Sequence, residues 1–463
     1  MSIWQRVVAT VLVVAAVAVA VLAVVDDDSQ SGAAPRVATT PVWSVRRVPQ
    51  PIVDAVGAQH LQKVLDRDFG GDGTCFLVMG SGAQLAAHNI DTPLIGASTQ
   101  KVLVAAAALT LLGPDFTYET RVVAPSAPSD GAVDKIWLVG GGDPVIATDD
   151  YRDYLESKGK TKGDVTTRLE TLADSIVNAG VKRIPGGIIA DDSRYDDERY
   201  VPDWEPQYRV DGDVGPLGAL TVNDGWRSWT NGLTPVTDPA ANAANQLARL
   251  LTARGVQVGP TSRGNAPTDA TVVAKINSPP LRDVVGSMLS SSDNNSAEEF
   301  TKELAFHATQ QPGTTAEGVR VVTQKLQELG VPTDGLVLTD GSGLDRGNRV
   351  TCRILIATLA LGIRPELREL WDGMPVAGRN GTLFDELGDT RLAGKMHGKT
   401  GTLNGVSGLI GIVDLGRNVS FAFLDNGNFT EQKAAPLRVH AANLIATFPD
   451  SPSADDLVPK PAA

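Results

Sequence analysis

The chain has few basic residues and few histidines, and each shortage argues against a class of function. Its 463 residues carry 41 Lys and Arg against 54 Asp and Glu, a formal net charge of −13. Nucleic-acid binding is set aside, because a polyanion needs a basic surface that displaces its counterions. The five histidines show no metal-ligand spacing such as H-E-x-x-H. We therefore expect no metal and no other cofactor.

Cysteine is equally scarce, since only Cys75 and Cys352 occur. Neither lies in a C-x-x-C motif or in a Cys/His cluster, which argues again against a metal site. In an oxidising compartment the two thiols would pair, and two free buried thiols are the alternative. The sequence leaves this choice open.

The first 25 residues indicate export. Arg6 precedes an apolar run over residues 7–25, and three aspartates follow at 26–28. A positive charge before the run and acids after it place the rest of the chain outside the cytoplasm. The run is about long enough to span a bilayer, while A-x-A patterns within it offer cleavage points. A membrane anchor and a cleaved signal both stay open, and either implies an N-terminal membrane contact.

Composition marks flexible segments near both ends of the chain. Residues 26–50 are rich in Ser, Ala, Pro and Thr and predict a flexible linker. Residues 450–463 have the same character and predict a disordered tail. We expect the folded enzyme to lie between these two segments.

Three regions of different texture follow the linker. Residues 51–117 contain two strand patterns, 75–79 and 84–88, and a helix starting at Ser98 that is apolar on every face. Residues 118–279 mix short strands, helices and turns, which predicts one or two inserted modules. Residues 280–449 are helical at first and end in three strand patterns and an amphipathic helix. We predict an α/β (α+β) multidomain fold in which a helical centre is flanked by an antiparallel sheet.

Ser98-Thr-Gln-Lys101 places a nucleophile and a base three residues apart. A serine hydroxyl needs a base within hydrogen-bond reach, and residues i and i+3 share one face of a helix. Burial and a second cation, Lys399, would lower the pKa of Lys101 and so favour its neutral form. A second S-x-x-K, Ser157 to Lys160, lies in a charged stretch that offers no buried helix. We therefore regard this second copy as fortuitous.

Two further motifs fit the same chemistry. Ser292-Asp-Asn294 joins two helical segments, where it presents a hydroxyl and an amide to a cleft, caps the helix near Ser296, or does both. Lys399-Thr-Gly-Thr402 lies in a strand pattern. On an edge strand its glycine would let a substrate backbone lie close, while Lys399 and the threonine hydroxyls bind a carboxylate. The alternative for this motif is an ordinary strand with a turn.

The order S-x-x-K, S-x-N, K-T-G resembles the penicillin-binding protein and serine β-lactamase superfamily. The long gap between Ser98 and Ser292 resembles the class C, penicillin-binding protein 4 type of D-alanyl-D-alanine carboxypeptidase/endopeptidase, peptidase family S13. LVGGGDP, LTVNDG, SDNNSAE, DGSGLDRGNRVT and MPVAGRNGTL look like further signatures of that family. The resemblance implies a discontinuous catalytic domain, 51–117 with 280–449, and a second domain at 118–279 that itself carries a third.

The resemblance also implies roles for individual residues. Ser98 would attack the penultimate D-alanine carbonyl, releasing the terminal D-alanine or a cross-linked partner, and water would cleave the acyl-enzyme. Lys101 would activate Ser98, Ser292 would relay a proton to the leaving amine, and Asn294 would bind the acyl side. The N–H groups of Ser98 and Thr402 would form the oxyanion hole. The carboxylate would be positioned by Lys399, Thr400, Gly401 and Thr402. Peptidoglycan stem peptides and β-lactam antibiotics are the expected partners.

Other polar residues near the motifs are interpreted as structural, and three alternative functions are considered. We interpret His397 as structural, and Asp340, Ser342 and Arg349 as a turn with its hydrogen-bonding network. An esterase or a β-lactamase would keep all three motifs, although the long insertion argues against a β-lactamase. An inactive wall-binding scaffold is usually marked by loss of a motif residue, and none is lost here.

Overall fold

The computed structural model describes residues 50–158 and 165–448. The export segment predicted at 1–25, the linker apart from Gln50, Lys160 of the second S-x-x-K and the tail at 450–463 lie outside the described residues. Within the described ranges, no helix combines the length and the apolar character needed to cross a membrane.

The helices and strands are distributed along the chain much as the sequence patterns of the three regions predict. In chain order, the α-helices of the described residues are α1 Gln50–Phe69, α2 Lys101–Leu111, α3 Asp149–Ser157, α4 Leu169–Asn178, α5 Gln207–Asp211, α6 Pro239–Ala253, α7 Leu281–Ser291, α8 Asn294–Thr309, α9 Thr315–Glu328, α10 Cys352–Ala360, α11 Glu369–Asp372 and α12 Glu431–Ile445. Short 3-10 helices lie at Ala97–Gln100, Asn223–Gly225, Leu361–Ile363, Pro365–Leu367 and Gly381–Leu383. The strands are β1 Thr74–Gly80, β2 Ala83–His88, β3 Glu119–Ala124, β4 Ile136–Val139, β5 Ile146–Ala147, β6 Thr167–Arg168, β7 Arg183–Ile184, β8 Ile188–Asp191, β9 Trp226–Ser228, β10 Thr234–Pro235, β11 Gln257–Val258, β12 Thr261–Arg263, β13 Thr271–Asn277, β14 Met396–Leu403, β15 Val406–Asp414 and β16 Asn418–Asn426.

A five-stranded antiparallel sheet carries the K-T-G motif on its edge. Its order is β14-β15-β16-β1-β2, so the N-terminal strands pair with the C-terminal ones. Apolar side chains alternate between the two faces: Leu409 packs against α1 and α12, and Ile410 packs against the helices on the other side. The sheet is therefore covered on both faces, and this arrangement joins the two halves of the predicted catalytic region.

Helix α2 lies at the centre of the helical layer. Every residue from Lys101 to Leu109 is buried, as the all-apolar pattern predicts. Its neighbours are α7, α8, α9 and α10, which contribute residues such as Val285, Phe300 and Leu355 to the same core. This packing fixes the start of α2, and with it the S-x-x-K motif, in the middle of the molecule.

The predicted insertion at 118–279 contains a separate core. Strands in the order β12-β8-β4-β3-β13 form a mixed sheet, with parallel pairs at β12-β8 and β8-β4 and antiparallel pairs elsewhere. Helices α4 and α6 cover this sheet through residues such as Leu172 and Leu247. A middle part of the insertion, between β8 and α6, instead packs against the catalytic region, where Trp204 and Val214 share a cluster with Ala97. The limits of the inserted domains as folding units stay a prediction.

The two cysteines form a disulfide. Cys75 on β1 and Cys352 at the start of α10 are joined across 277 residues, with their Cα atoms 6.1 Å apart. Both side chains are completely buried. The choice that the sequence left open is therefore resolved in favour of the pair, which ties the sheet to the helical layer.

Candidate active site

Ser98 lies in a 3-10 turn rather than in the α-helix that the sequence predicts there. The turn spans Ala97–Gln100, and α2 begins only at Lys101. Side chains at i and i+3 eclipse one another in a 3-10 helix, so the expected pairing holds all the same. The Lys101 Nζ is 2.9 Å from the Ser98 Oγ. The left-handed backbone of Ala97, with φ of 46°, starts the turn, which is a costly conformation for a residue with a Cβ.

Lys101 is completely buried, and three oxygen atoms surround its amine. Besides the Ser98 Oγ, the Nζ contacts the Asn294 Oδ1 at 2.6 Å and the Ser342 carbonyl oxygen at 2.7 Å. A neutral amine has two N–H groups and one lone pair. If the two N–H groups bind Asn294 and Ser342, the lone pair points at the Ser98 hydroxyl. This is the geometry that a general base requires.

Burial lowers the pKa of Lys101 to about 8, although three nearby carboxyl groups oppose this shift. At pH 7 about a tenth of such a lysine is neutral, which is many times more than for a lysine of ordinary pKa. Lys399, which the sequence analysis expected to contribute, is not among the causes of this shift. The effect runs the other way, because burial, and after it the charge of Lys101, lower the pKa of Lys399 well below its usual value.

A second lysine–serine pair faces the first. The Lys399 Nζ donates to the Ser292 Oγ at 2.8 Å and to the Thr400 carbonyl at 2.9 Å. Ser292 ends α7 in a left-handed conformation with φ of 62°, which turns its hydroxyl toward β14. Asp293 accepts hydrogen bonds from the backbone N–H groups of Asn295 and Ser296 and so caps α8. The S-x-N run therefore caps a helix and presents polar groups at the same time.

Gly401 allows β14 to lie against the turn that carries Ser98. A Cβ at this position would lie 2.5 Å from the Gly96 carbonyl oxygen and 3.2 Å from the Thr99 nitrogen. The side of Gly401 that lacks a side chain thus faces the protein's own backbone. This corrects the sequence interpretation, in which the glycine leaves room for a substrate backbone.

The outer edge of β14 offers backbone groups to the cleft. The Met396 carbonyl accepts from the Ala377 N–H, and the Gly398 N–H donates to the Pro375 carbonyl. Because alternate residues of a strand point their N–H and C=O groups to the same side, the groups of Thr400 and Thr402 continue this outward series. The segment 375–377 pairs only with the start of β14, at Met396 and Gly398, so the outward groups of Thr400 and Thr402 lie beyond this pairing. The Thr402 N–H is thereby directed toward the side where the predicted oxyanion hole lies.

The K-T-G threonines are held by residues that the motifs do not include. The Thr400 Oγ1 contacts the Thr382 Oγ1 at 2.8 Å. Arg438 on α12 donates to the Thr402 Oγ1 at 2.9 Å and makes a two-pronged ion pair with Glu386. Because the Thr402 oxygen accepts from Arg438, its hydrogen is available to another acceptor, as a substrate carboxylate would be. Sequence reasoning missed Arg438, since it lies outside every motif.

The loop 340–345 is built around one buried carboxylate. Asp340 accepts hydrogen bonds from the Gly343 and Asp345 N–H groups within the loop and from the Trp204 Nε1 of the insertion. Arg349 donates to the carbonyls of two neighbouring loop residues. The interpretation as a turn with its network agrees with these contacts, but the sequence did not indicate that this loop also supplies the Ser342 carbonyl to Lys101.

His397 lies on β14 close to the site, and its ring contacts the protein backbone. The His397 Nδ1 lies 3.1 Å from the Trp371 carbonyl oxygen, a contact that agrees with a structural role. Within residues 50–158 and 165–448, no group of three His, Cys, Asp or Glu residues is placed to bind a metal ion.

Comparisons with known proteins link the chain to one family. The model of the D-Ala-D-Ala carboxypeptidase 3 (S13) family matches residues 60–232 and 228–447. A carboxypeptidase of Mycobacterium tuberculosis, Rv3627c, is 32% identical over 377 residues, covering 79% of this chain and 77% of that protein. A D-alanyl-D-alanine carboxypeptidase of an Actinomadura species is 29% identical over 443 residues, covering 78% of each chain.

A solved structure confirms the fold class. Penicillin binding protein 4 (dacB) of Haemophilus influenzae superposes with a TM-score of 0.70 at 22% identity, covering 83% of this chain and 98% of that one. A second structure of the same protein, with a novel β-lactam, superposes with a TM-score of 0.64 at 22% identity, covering 83% and 98%. The mixed α/β architecture predicted from the sequence is the one that these structures have.

Proposed function

The chain belongs to the D-Ala-D-Ala carboxypeptidase 3 (S13) family, and from this premise we propose that it cleaves peptidoglycan stem peptides through an acyl-enzyme on Ser98. It is a serine-type D-Ala-D-Ala carboxypeptidase and a penicillin-binding protein. β-Lactams acylate the same serine, because they imitate the D-Ala-D-Ala bond.

One observation carries the assignment of the site. Two lysine–serine pairs, Lys101 with Ser98 at 2.9 Å and Lys399 with Ser292 at 2.8 Å, come from three distant parts of the chain. Asn294 contacts Lys101 from the second motif and so connects the pairs. A fold that only needed stability would not bury two lysines side by side, because each buried ammonium costs free energy. A base and a proton relay account for both.

The reaction follows from these contacts. Lys101 takes the Ser98 proton, and the Oγ bonds to the carbonyl carbon of the penultimate D-alanine. The N–H groups of Ser98 and Thr402 bind the resulting oxyanion. Ser292 gives its proton to the leaving nitrogen, the C–N bond breaks, and Lys399 supplies the replacement proton. Water then attacks the ester and gives one proton to Lys399, which had lost its own. The Ser98 oxygen leaves the acyl carbon and takes back the proton held by Lys101, so that the acyl group is released as a carboxylic acid and both lysines return to their starting states.

The proposed carboxylate subsite is suited to carboxypeptidase action. In this proposal Lys399 and the hydroxyls of Thr400 and Thr402 bind the carboxylate of the leaving D-alanine, and Asn294 binds the acyl side. DD-endopeptidase action on cross-links is the second candidate. A predatory endopeptidase of Bdellovibrio bacteriovorus shares the fold with a TM-score of 0.52 at 16% identity, covering 82% of this chain and 92% of that one.

Product analysis on two substrates tests the function. The protein is incubated with a muramyl pentapeptide and with a purified cross-linked muropeptide, and products are identified by mass spectrometry. We expect release of D-alanine from the pentapeptide. Cleavage of the cross-linked muropeptide measures how much endopeptidase activity the protein has beside its carboxypeptidase activity. Ser98→Ala should lose both activities, whereas Ser157→Ala, which alters the exposed serine of the second S-x-x-K, should keep them. Full turnover by Ser98→Ala refutes the mechanism, and turnover of nitrocefin or short esters without any of muropeptide indicates a β-lactamase or an esterase.

The location of the protein is a separate proposal. The apolar run at 7–25, with Arg6 before it and aspartates after it, supports an extracytoplasmic protein of the cell envelope, anchored by this run or released after its cleavage. N-terminal sequencing of the protein from membrane and soluble envelope fractions tests this. A retained N-terminus in the membrane indicates an anchor, and a start after an A-x-A pattern indicates cleavage. Recovery of the whole chain in the cytoplasm contradicts export.

A further inference from the structure

We propose that Glu298 is a positioning residue for the general base: it fastens the Ser342 carbonyl to the helix that carries Asn294, so that both acceptors of the Lys101 N–H groups are held by one rigid element. The inference rests on the proposed function of the Ser98 site.

The contacts form a continuous path. Asn294 and Glu298 are four residues apart on α8 and lie on the same face of the helix. The Glu298 Oε1 accepts the Ser342 N–H at 2.7 Å and the Gly341 N–H at 3.0 Å. The carbonyl of Ser342 then accepts from the Lys101 Nζ. Helix α8 thus fixes one acceptor through Asn294 itself and the other through Glu298.

Two glycines bring the loop into this position. A Cβ on Gly341 would lie 2.1 Å from the Thr301 Oγ1 and 2.6 Å from the Ala297 carbonyl, so this residue lies directly on α8. A Cβ on Gly343 would lie 2.2 Å from the Ala97 carbonyl, next to the nucleophile. The loop is therefore clamped between α8 and the Ser98 turn. Glu298 holds the Gly341–Ser342 part of this backbone against α8, while Asp340 holds the part that follows.

The surroundings of Glu298 disfavour its negative charge, so we attribute its role to hydrogen bonding and not to that charge. Lys101 on α2, Asp340 in the loop and Asp293 before α8 interact electrostatically at this site. Lys399 on β14 in turn interacts with Lys101. Burial, followed by the charge of Asp340, raises the pKa of Glu298 to about 8. This shift favours the neutral carboxyl, although hydrogen bonds from the Ser342 side chain and from the Ser342 and Gly341 N–H groups oppose it. A negative charge on Glu298 would raise the pKa of Lys101 and weaken it as a base.

The neighbouring Glu299 provides a matched control. It is equally buried on the same helix, but it accepts from the Gly218 N–H of the insertion and does not contact the loop. Any loss that reflects only the removal of a buried glutamate from α8 should appear in both Glu298→Ala and Glu299→Ala.

The test compares single-turnover acylation by a fluorescent penicillin in the full-length protein. Glu298→Ala should slow the acylation step about 100-fold, as expected when a base is misplaced by an ångström, while the affinity of the initial complex changes less than about threefold. Glu298→Gln keeps the acceptor oxygen and should stay within about threefold of the wild type. Its rate should also reach half-maximum at a lower pH, because residue 298 no longer ionises. Glu299→Ala should acylate at the wild-type rate, and thermal unfolding monitors folding of each variant.

The outcomes separate the inference from the proposed function. Wild-type acylation by Glu298→Ala, equal losses in Glu298→Ala and Glu299→Ala, or a Gln variant as slow as the Ala variant would each overturn the role of Glu298. If the Ala variant does not fold, Glu298→Asp replaces it: the carboxyl, shorter by one methylene, should slow acylation, and a wild-type rate overturns the proposal. Ser98→Ala is measured in parallel. Labelling of that variant would refute the proposed function itself, whatever Glu298 does.

Discussion

Gly401→Ala should impair acylation without unfolding the protein, because it separates the two backbone segments that form the cleft. The new Cβ would lie 2.5 Å from the Gly96 carbonyl oxygen and 3.0 Å from the Thr99 Cγ2. The first distance is roughly 1 Å short of ordinary van der Waals contact. Gly96 immediately precedes the turn of Ser98 and Thr99 lies within it, and the Gly96 oxygen is a backbone atom that cannot rotate away. We therefore expect β14 to move outward by a large part of an ångström.

The size of the effect follows from that displacement. The Thr402 N–H and the Ser98 N–H must bind one oxygen together, so moving β14 by this amount should reduce the acylation rate by about 100-fold. Overpacking of this kind costs about 1–3 kcal/mol of stability, which a folded domain tolerates. Gly71→Ala is the matched control, because no atom lies within 4 Å of the Cβ that it adds.

The assay measures the second-order rate constant for acylation by a fluorescent penicillin, together with the thermal unfolding midpoint of each variant. We expect a slow but folded Gly401→Ala and an unchanged Gly71→Ala. Acylation of Gly401→Ala within about threefold of the wild type would refute the idea that close packing of β14 on the Ser98 turn builds the site.

Three further predictions follow from the site and the disulfide. The acylation rate should increase with pH and reach half of its maximum near pH 8, because Lys101 must lose its proton to act as a base. A half-maximum near pH 6 in stopped-flow measurements across pH would contradict this. Thr402→Val removes the hydroxyl that Arg438 orients, so the KM for pentapeptide should rise about tenfold with a smaller change in kcat. The control Thr402→Ser keeps the hydroxyl and should retain the wild-type KM. A Thr402→Val variant with the same KM as the wild type would contradict the carboxylate contact. Replacing Cys75 and Cys352 by alanine opens a 277-residue loop and should lower the free energy of unfolding by about 6 kcal/mol in the chain-entropy picture, measured by urea unfolding. A loss below about 1 kcal/mol would contradict that value.

The sequence predicts those parts of the molecule whose structure depends on local residue type and on the spacing of apolar residues. The strand patterns at 75–79 and 84–88 fall within β1 and β2, and the all-apolar stretch after Lys101 becomes the central helix. The three motifs are recognisable because nucleophilic catalysis requires particular side chains at fixed spacing. Their assembly into one site, however, depends on contacts across nearly two hundred residues, and only the order of the motifs indicates it.

The rest of the site is invisible to sequence reasoning for identifiable reasons. The Ser342 carbonyl is a backbone group, which every residue type has. Arg438 contacts Thr402 only because α12 folds back over the sheet. The open side of Gly401 faces protein rather than substrate, and a glycine in a motif does not reveal which neighbour needs the space. The pairing of two cysteines likewise depends on the distance between their strands and helices, which spacing alone does not give.

The most direct test of the account is to identify the residue that penicillin acylates. The full-length protein is reacted with penicillin, its intact mass is measured, and the labelled peptide is sequenced by mass spectrometry. We predict one equivalent of label, located on Ser98 and lost in Ser98→Ala. Label on Ser292 or Ser157, or full labelling of Ser98→Ala, would contradict the central claim that the Ser98 hydroxyl, activated by Lys101, is the nucleophile.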